Sequence, residues 1–119
     1  ASNCKVSSCY VKSDITSVDG GSAYADAGGI IGEAVSSSVD GCRYYGTIIE
    51  NSKTITGERV FGGIIGKADA ASSAGVTTSC GFGGTINGTT ITDKTDLSTY
   101  AIGSTTGTRG TFYLWDGTL

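Results

Sequence analysis

The sequence contains no histidine. This removes Ser-His-Asp and Cys-His catalytic arrangements, His-containing zinc sites and the usual proton shuttle at neutral pH. Methionine is also absent, and leucine occurs 3 times beside 11 Ile and 7 Val. An apolar set weighted to β-branched residues favours strands over helices. No window of ten residues spaces its apolar positions at i, i+3, i+4 and i+7, as an amphipathic helix would. Lys and Arg number 8 against 11 Asp and Glu, for a net charge of −3 with no basic cluster. Nucleic acid is therefore not an expected partner. No apolar run approaches membrane-spanning length. The chain does not open on Met and shows no signal peptide, which points to a processed protein or part of a larger chain. The residues before the first cysteine, Ala-Ser-Asn, fit a lipoprotein cleavage site poorly and give no ground for claiming a lipid anchor.

What is present is turn and strand chemistry. Gly, Thr and Ser number 20, 17 and 15 in 119 residues, and apolar residues make up 38%. That fraction suits one small folded domain and is too high for a disordered segment. An all-β chain follows. Within it the string GGIIG occurs twice, at 28–32 and 62–66. Three other segments align on cysteine: Cys9-x-Val11-x-Ser13-x-Ile15, Cys42-x-Tyr44-x-Gly46-x-Ile48 and Cys80-x-Phe82-x-Gly84-x-Ile86. The pattern is cysteine, large apolar, small, Ile, at a period of two. All four positions then fall on one face of a strand. GGIIG follows the first two cysteines after 19 and 20 residues, and a reduced form, Ala101-Ile102-Gly103, begins 21 residues after Cys80.

A unit repeated about three times, with length changes confined to loops, is the mark of a stacked architecture. The expected fold is a β-solenoid, resembling a parallel β-helix, with a β-sandwich as the alternative. Equivalent residues would meet at the strand spacing of about 4.8 Å. GGIIG reads as a second strand, its glycines allowing a sharp bend or close backbone approach and its two Ile occupying opposite faces. Register would set Glu33 opposite Lys67 on the exterior. Residues 1–104 form the repeat region, and 105–119 a capping strand or the start of a further unit. The tail concentrates Phe112, Tyr113, Leu114 and Trp115, as a cap over an open stack end requires.

The order GGIIG, then Cys-x-aromatic, then Gly-Thr-Ile resembles the GLUG repeat of secreted and surface proteins of gut bacteria. That repeat also occurs in IgA-specific metallopeptidases outside their catalytic domain. The resemblance spans roughly residues 3–104. It implies a non-catalytic, adhesin-like module at a bacterial surface or secreted from the cell, serving as spacer or presenting a face to host or microbial glycans or proteins. The alternative is a carbohydrate-binding module or accessory region of a secreted hydrolase or peptidase, with exposed Tyr10, Tyr45 and Trp115 as stacking residues.

The remaining motifs carry little chemistry. GGIIGK is not a phosphate loop, because Phe61 stands at the required first Gly and Ala68 at the metal-binding hydroxyl. The cysteine gaps of 5, 33 and 38 lack the close pairs of a zinc site. No cofactor, metal site or catalytic residue is expected. Asp19, Asp93 and Asp96 read as solvated loop residues, since dense calcium-ligand spacing is missing. Asn87-Gly88-Thr89 reads as a turn. Cys9, Cys42 and Cys80 are expected as free thiols stacked in the core, the alternative being a disulfide between neighbours or with Cys4.

Overall fold

The computed structural model describes residues 2–17, 25–50, 59–74, 80–92, 94 and 96–118. Along the chain run β1 (Lys5–Ser7), β2 (Tyr10–Lys12), β3 (Ile15–Ser17), β4 (Ala25–Gly28), β5 (Ile31–Ala34), β6 (Ser38–Asp40), β7 (Arg43–Glu50), β8 (Arg59–Gly62) and β9 (Ile65–Ala68). Then come α1 (Ala70–Ala74), β10 (Gly81–Ile86), β11 (Thr89–Ile91), α2 (Leu97–Ala101), β12 (Ile102–Thr105) and β13 (Tyr113–Leu114). The protein is mainly β, built as several small sheets. The two helices among the described residues have five residues each, too short to show helical periodicity in the sequence.

All strand pairs between successive copies are parallel. β1 pairs β6, β4 pairs β8, and β5, β9 and β12 form a three-stranded sheet. In the largest sheet β7 carries β2 and β3 on one edge and β10 on the other, and β10 carries β13. The register matches the aligned segments. Val11 and Phe82 both stand opposite Tyr44, Ile15 and Ile86 opposite Ile48, and Ile102 and Ile31 opposite Ile65. Glu33 stands opposite Lys67. The cysteines continue the ladder: Arg43 N donates to the Cys9 carbonyl (2.9 Å), Gly81 N to Cys42 (3.1 Å) and Tyr113 N to Cys80 (3.4 Å). Phe112 thus follows Cys80 in the column, and its ring meets Phe82 edge-on at 6.3 Å.

Burial grades along the stack. Cys42, Tyr44, Ile48, Cys80, Phe82 and Ile86 are fully or almost fully buried, whereas Cys9, Val11 and Ile15 of the first copy are only half-buried. The expectation that all three copies are buried is corrected here. Among the described residues, β1, β2 and β3 have partners on one side only, so nothing described covers the far side of their side chains.

GGIIG is not one strand. Gly28 and Gly62 end β4 and β8, the next two residues turn the chain, and Ile31 and Ile65 begin β5 and β9. The two Ile do not take opposite faces of a strand, since Ile64 and Ile65 are both fully buried around the corner. A Cβ on Gly29 would lie 2.2 Å from Tyr44 Cγ, and one on Gly63 2.1 Å from Phe82 Cδ2. The second glycine of each corner therefore makes room for the aromatic ring of the following cysteine segment. This explains physically why the two motifs occur as a pair. The small position is set by backbone contact: a Cβ on Gly84 would lie 2.0 Å from the Gly46 carbonyl oxygen, and one on Gly46 2.0 Å from that of Ser13.

In the third copy α2 precedes the corner. Its end holds the second-copy corner, with Gly63 N donating to Tyr100 O (2.7 Å) and Ile64 N to Ala101 O (2.9 Å). Arg109 donates to the carbonyls of Ser98, Thr99 and Ile102, tying the tail to α2. Asn87 and Gly88, both at positive φ (46° and 88°), make the two-residue turn between β10 and β11. That Asn-Gly geometry is the preferred hairpin connection.

Candidate functional site

The x positions of the three cysteine segments point away from the core, and register collects them on one sheet face. Tyr10, Arg43, Gly81 and Tyr113 form one row across β2, β7, β10 and β13. Lys12, Tyr45 and Gly83 form the next. The two glycines leave this face hollow, and the tail fills it. The Tyr113 ring lies on Gly81, at 2.4 Å from where a Cβ would stand. The Trp115 ring reaches across to Tyr10, with centroids 6.3 Å apart.

Arg43 holds this arrangement together. Its guanidinium carbon sits 4.7 Å from the Tyr10 ring centroid, 5.9 Å from that of Trp115 and 6.0 Å from that of Tyr113. Each contact is a cation–π interaction, favourable by roughly 0.5–1 kcal/mol at exposed sites and more where desolvated. Lys12 adds a bond from Nζ to the Gly117 carbonyl (3.4 Å), and Trp115 Nε1 donates to Thr118 O (3.0 Å).

The three aromatic residues singled out from the sequence are thus brought onto one face, but with different access. Tyr10 is 53% exposed and Tyr45 is half-buried. Trp115 is only 6% exposed, which corrects its reading as an exposed stacking residue. It is covered because it packs on Tyr10 and bonds to its own tail. Sequence reasoning missed Arg43, Lys12 and Asp116, whereas Tyr113 lies in the tail that it read as a cap or, alternatively, as an aromatic platform for sugar or peptide. The signal was available for the first two, since Tyr10/Arg43 and Lys12/Tyr45 are the paired x positions of the aligned segments.

Tyr45 stands between two shallow clefts. One, of about 370 Å³, is lined by Lys12, Ser13, Asp14, Thr47 and Thr85 beside it. The other, of about 220 Å³, lies where β11 and β13 diverge from β10, and is lined by Thr85, Thr90, Leu114, Trp115 and Asp116. Gly83 and Gly117 support the ring: a Cβ on either would lie 3.2 or 3.0 Å from its carbons. Asp14 Oδ1 accepts from Thr47 N (3.0 Å), and Asp116 Oδ1 from Thr118 N (2.9 Å). The Thr118 bonds, and more weakly the Lys12 charge, hold the Asp116 carboxyl below its usual range.

The cysteines form no disulfide with one another. Cys42 Sγ points at the Asp40 carbonyl (3.4 Å), and Cys80 Sγ at that of Val39 (3.7 Å). Burial, then the neighbouring Cys80 and Cys9 thiols, push the Cys42 thiol above its usual range, with a backbone bond opposing. It is therefore a weak nucleophile. Burial, and secondarily the Asp14 charge, push Tyr44 up to about 12, so its hydroxyl stays a donor to Ser13 O (2.7 Å). Among the described residues no three Cys, Asp or Glu are grouped to hold a metal ion. Asp96 accepts from the hydroxyls of Ser98 (2.8 Å) and Thr99 (3.0 Å) at the start of α2, while Asp19 and Asp93 lie outside the described residues. No described helix is long and apolar enough to cross a membrane. Comparison of the chain with family models, curated proteins and solved structures finds no match.

Proposed function

We propose that this chain is a non-catalytic module of a secreted or surface-exposed bacterial protein, built as a short β-solenoid of GLUG type, that spaces and presents a binding face. The observation that carries this reading is the parallel register of residues 33, 34, 37 and 38 positions apart through every sheet that joins the copies. Each copy has too little apolar surface to fold alone, and stacking supplies the rest. The buried column of Cys, aromatic and Ile is spent on packing. The lack of histidine fits a module without acid–base chemistry.

The build is tested by elongation. Three further copies of residues 9–41 inserted before Cys42 extend the particle by about 14 Å along the stack, at one strand spacing per copy. Small-angle scattering reads this. A particle that swells in all directions, or keeps its original length, argues against stacking. The location is tested by antibody labelling of intact producing cells. Chain detectable only after lysis rules out a surface role. A second reading, a carbohydrate-binding module or the accessory region of a hydrolase or peptidase, is favoured by the accessible Tyr10 and the half-buried Tyr45 sharing one face with the clefts beside Tyr45.

A further inference from the structure

We infer that the paired clefts flanking Tyr45 form a saccharide-binding groove, with the Tyr45 ring as platform and the hydroxyls and carboxylates of both clefts as its polar walls. The inference deepens the presenting-face reading and rests on it.

The clefts share Tyr45, Gly84 and Thr85, so they are two halves of one trough across the outer strand face. Their volumes, about 220 and 370 Å³, sit around the lower end of small-ligand sites, which begin near 300 Å³. The ring between them is pinned by Gly83 and Gly117, so little side-chain entropy remains to be lost when a ligand packs on it. The wall at Leu114, Trp115 and Asp116 is held by the pairing of β13 with β10, by the Lys12 bond to Gly117, and by Arg43 against the Tyr113 and Trp115 rings. Arg43 is a positioning residue for the groove and lines neither cleft.

The chemistry of the lining selects the ligand class. The lining holds one ammonium, Lys12, and two carboxylates, Asp14 and Asp116, so a phosphate or polyanion is disfavoured. Thr47, Thr85 and Thr90 add hydroxyls able to donate and accept. Backbone amides occupy one oxygen of each carboxylate, and a carboxylate has about four acceptor sites. An aromatic face for C–H groups, beside acceptors and hydroxyls for O–H groups, matches a neutral sugar better than an apolar peptide.

The test is native affinity electrophoresis of the chain through gels containing mucin, arabinoxylan, laminarin or galactomannan, alongside a glycan array. Oligosaccharides of any retaining polymer are then titrated against tryptophan fluorescence. Trp115 is the only tryptophan, and it lines the groove. Retention by at least one glycan is expected. Tyr45→Ala should weaken it by about tenfold or more, while Tyr45→Phe should stay within about threefold. Thr90→Arg fills the smaller cleft from an exposed position on β11 and should also weaken binding by about tenfold or more. Should Tyr45→Ala melt early, Thr90→Arg decides alone. No retention by any glycan, retention only by denatured protein, or wild-type binding by Thr90→Arg overturns the inference. None of these touches the stacking reading, which elongation tests separately.

Discussion

At the scale of single residues, the column positions are not equivalent, and mutation should grade them. Ile48 is fully buried between Ile15 and Ile86. Ile48→Ala should cost roughly 2–5 kcal/mol, the range for a packed core site. Ile15→Ala should cost clearly less, because Ile15 is half-buried and lacks a described neighbour on its far side. Urea denaturation of both variants checks this, and equal costs would mean that Ile15 is as well packed as Ile48. The thiols grade in the same way. Cys4 is exposed and should react with a thiol reagent in the native protein, whereas Cys42 and Cys80 should react only after unfolding. Four thiols per chain should label in denaturant without reductant, and two or none would reveal a disulfide. These positions were legible in the sequence because a period of two with cysteine, aromatic and Ile in fixed order marks a buried strand face. The weaker burial of the first copy was not legible, because it depends on what lies beyond Val11 and Ile15, and not on those residues.

At the scale of elements, the corners carry the information that strand periodicity hides. GGIIG reads as a strand because its residues are strand-compatible. The glycines already allowed a sharp bend, but that the bend splits the element into two strands shows only when Gly29 meets Tyr44 and Gly63 meets Phe82, contacts made after the chain has folded back. The register prediction fares better, since Glu33 and Lys67 stand opposite each other on β5 and β9. Glu33→Lys should lower stability slightly and Lys67→Glu should restore it. The double-mutant cycle should give roughly 0.2–1 kcal/mol at low salt, fading at high salt. Strictly additive effects at low salt would deny the pair any coupling. At the start of α1, Asp69 Oδ1 accepts from Ser72 N (2.8 Å) and Oδ2 from Ser36 N (3.0 Å), linking the helix to the neighbouring copy. The Ser72 bonds, then the Ser36 amide, hold the Asp69 carboxyl below its usual range. A carboxyl depressed in the folded state stabilises fully above its unfolded pKa of about 3.9 and loses this as pH falls through the folded value. Asp69→Ala should therefore lower the melting point at pH 7, and lower it progressively less as pH falls below about 3.9. An undiminished difference at pH 2 would assign its effect to packing.

At the scale of the whole molecule, the proposed stacking makes each rung depend mainly on its neighbours, so stability should follow position in the row. The outer face was half legible: the x positions of the aligned segments already paired Tyr10 with Arg43 and Lys12 with Tyr45. The folding of the tail onto that face was not, because it is a tertiary contact between Arg43 and rings more than sixty residues away, with no local signature. The row has unequal ends. At one, β13 and β11 share the edge of β10, and Phe112 closes on Phe82. At the other, β2 and β3 rest on β7 with no described strand beyond them. β7 lies between, paired on both edges along most of its length. Its amides exchange with solvent only when the row itself opens, whereas those of β2 and β3 are exposed when one edge lifts. Native-state hydrogen exchange at low urea should therefore rank protection as β7 highest, β10 next and β2 lowest. The β2 amides should exchange through an opening that exposes less surface than global unfolding, and so depends weakly on urea. Arg43→Ala removes the cation beneath Tyr10 and should reduce the protection of β2 and β13 together, leaving the centre of β7 nearly unchanged. Uniform protection across β2, β7 and β10, with one common urea dependence, would show that the rungs open as a single unit and that the graded burial has no energetic counterpart.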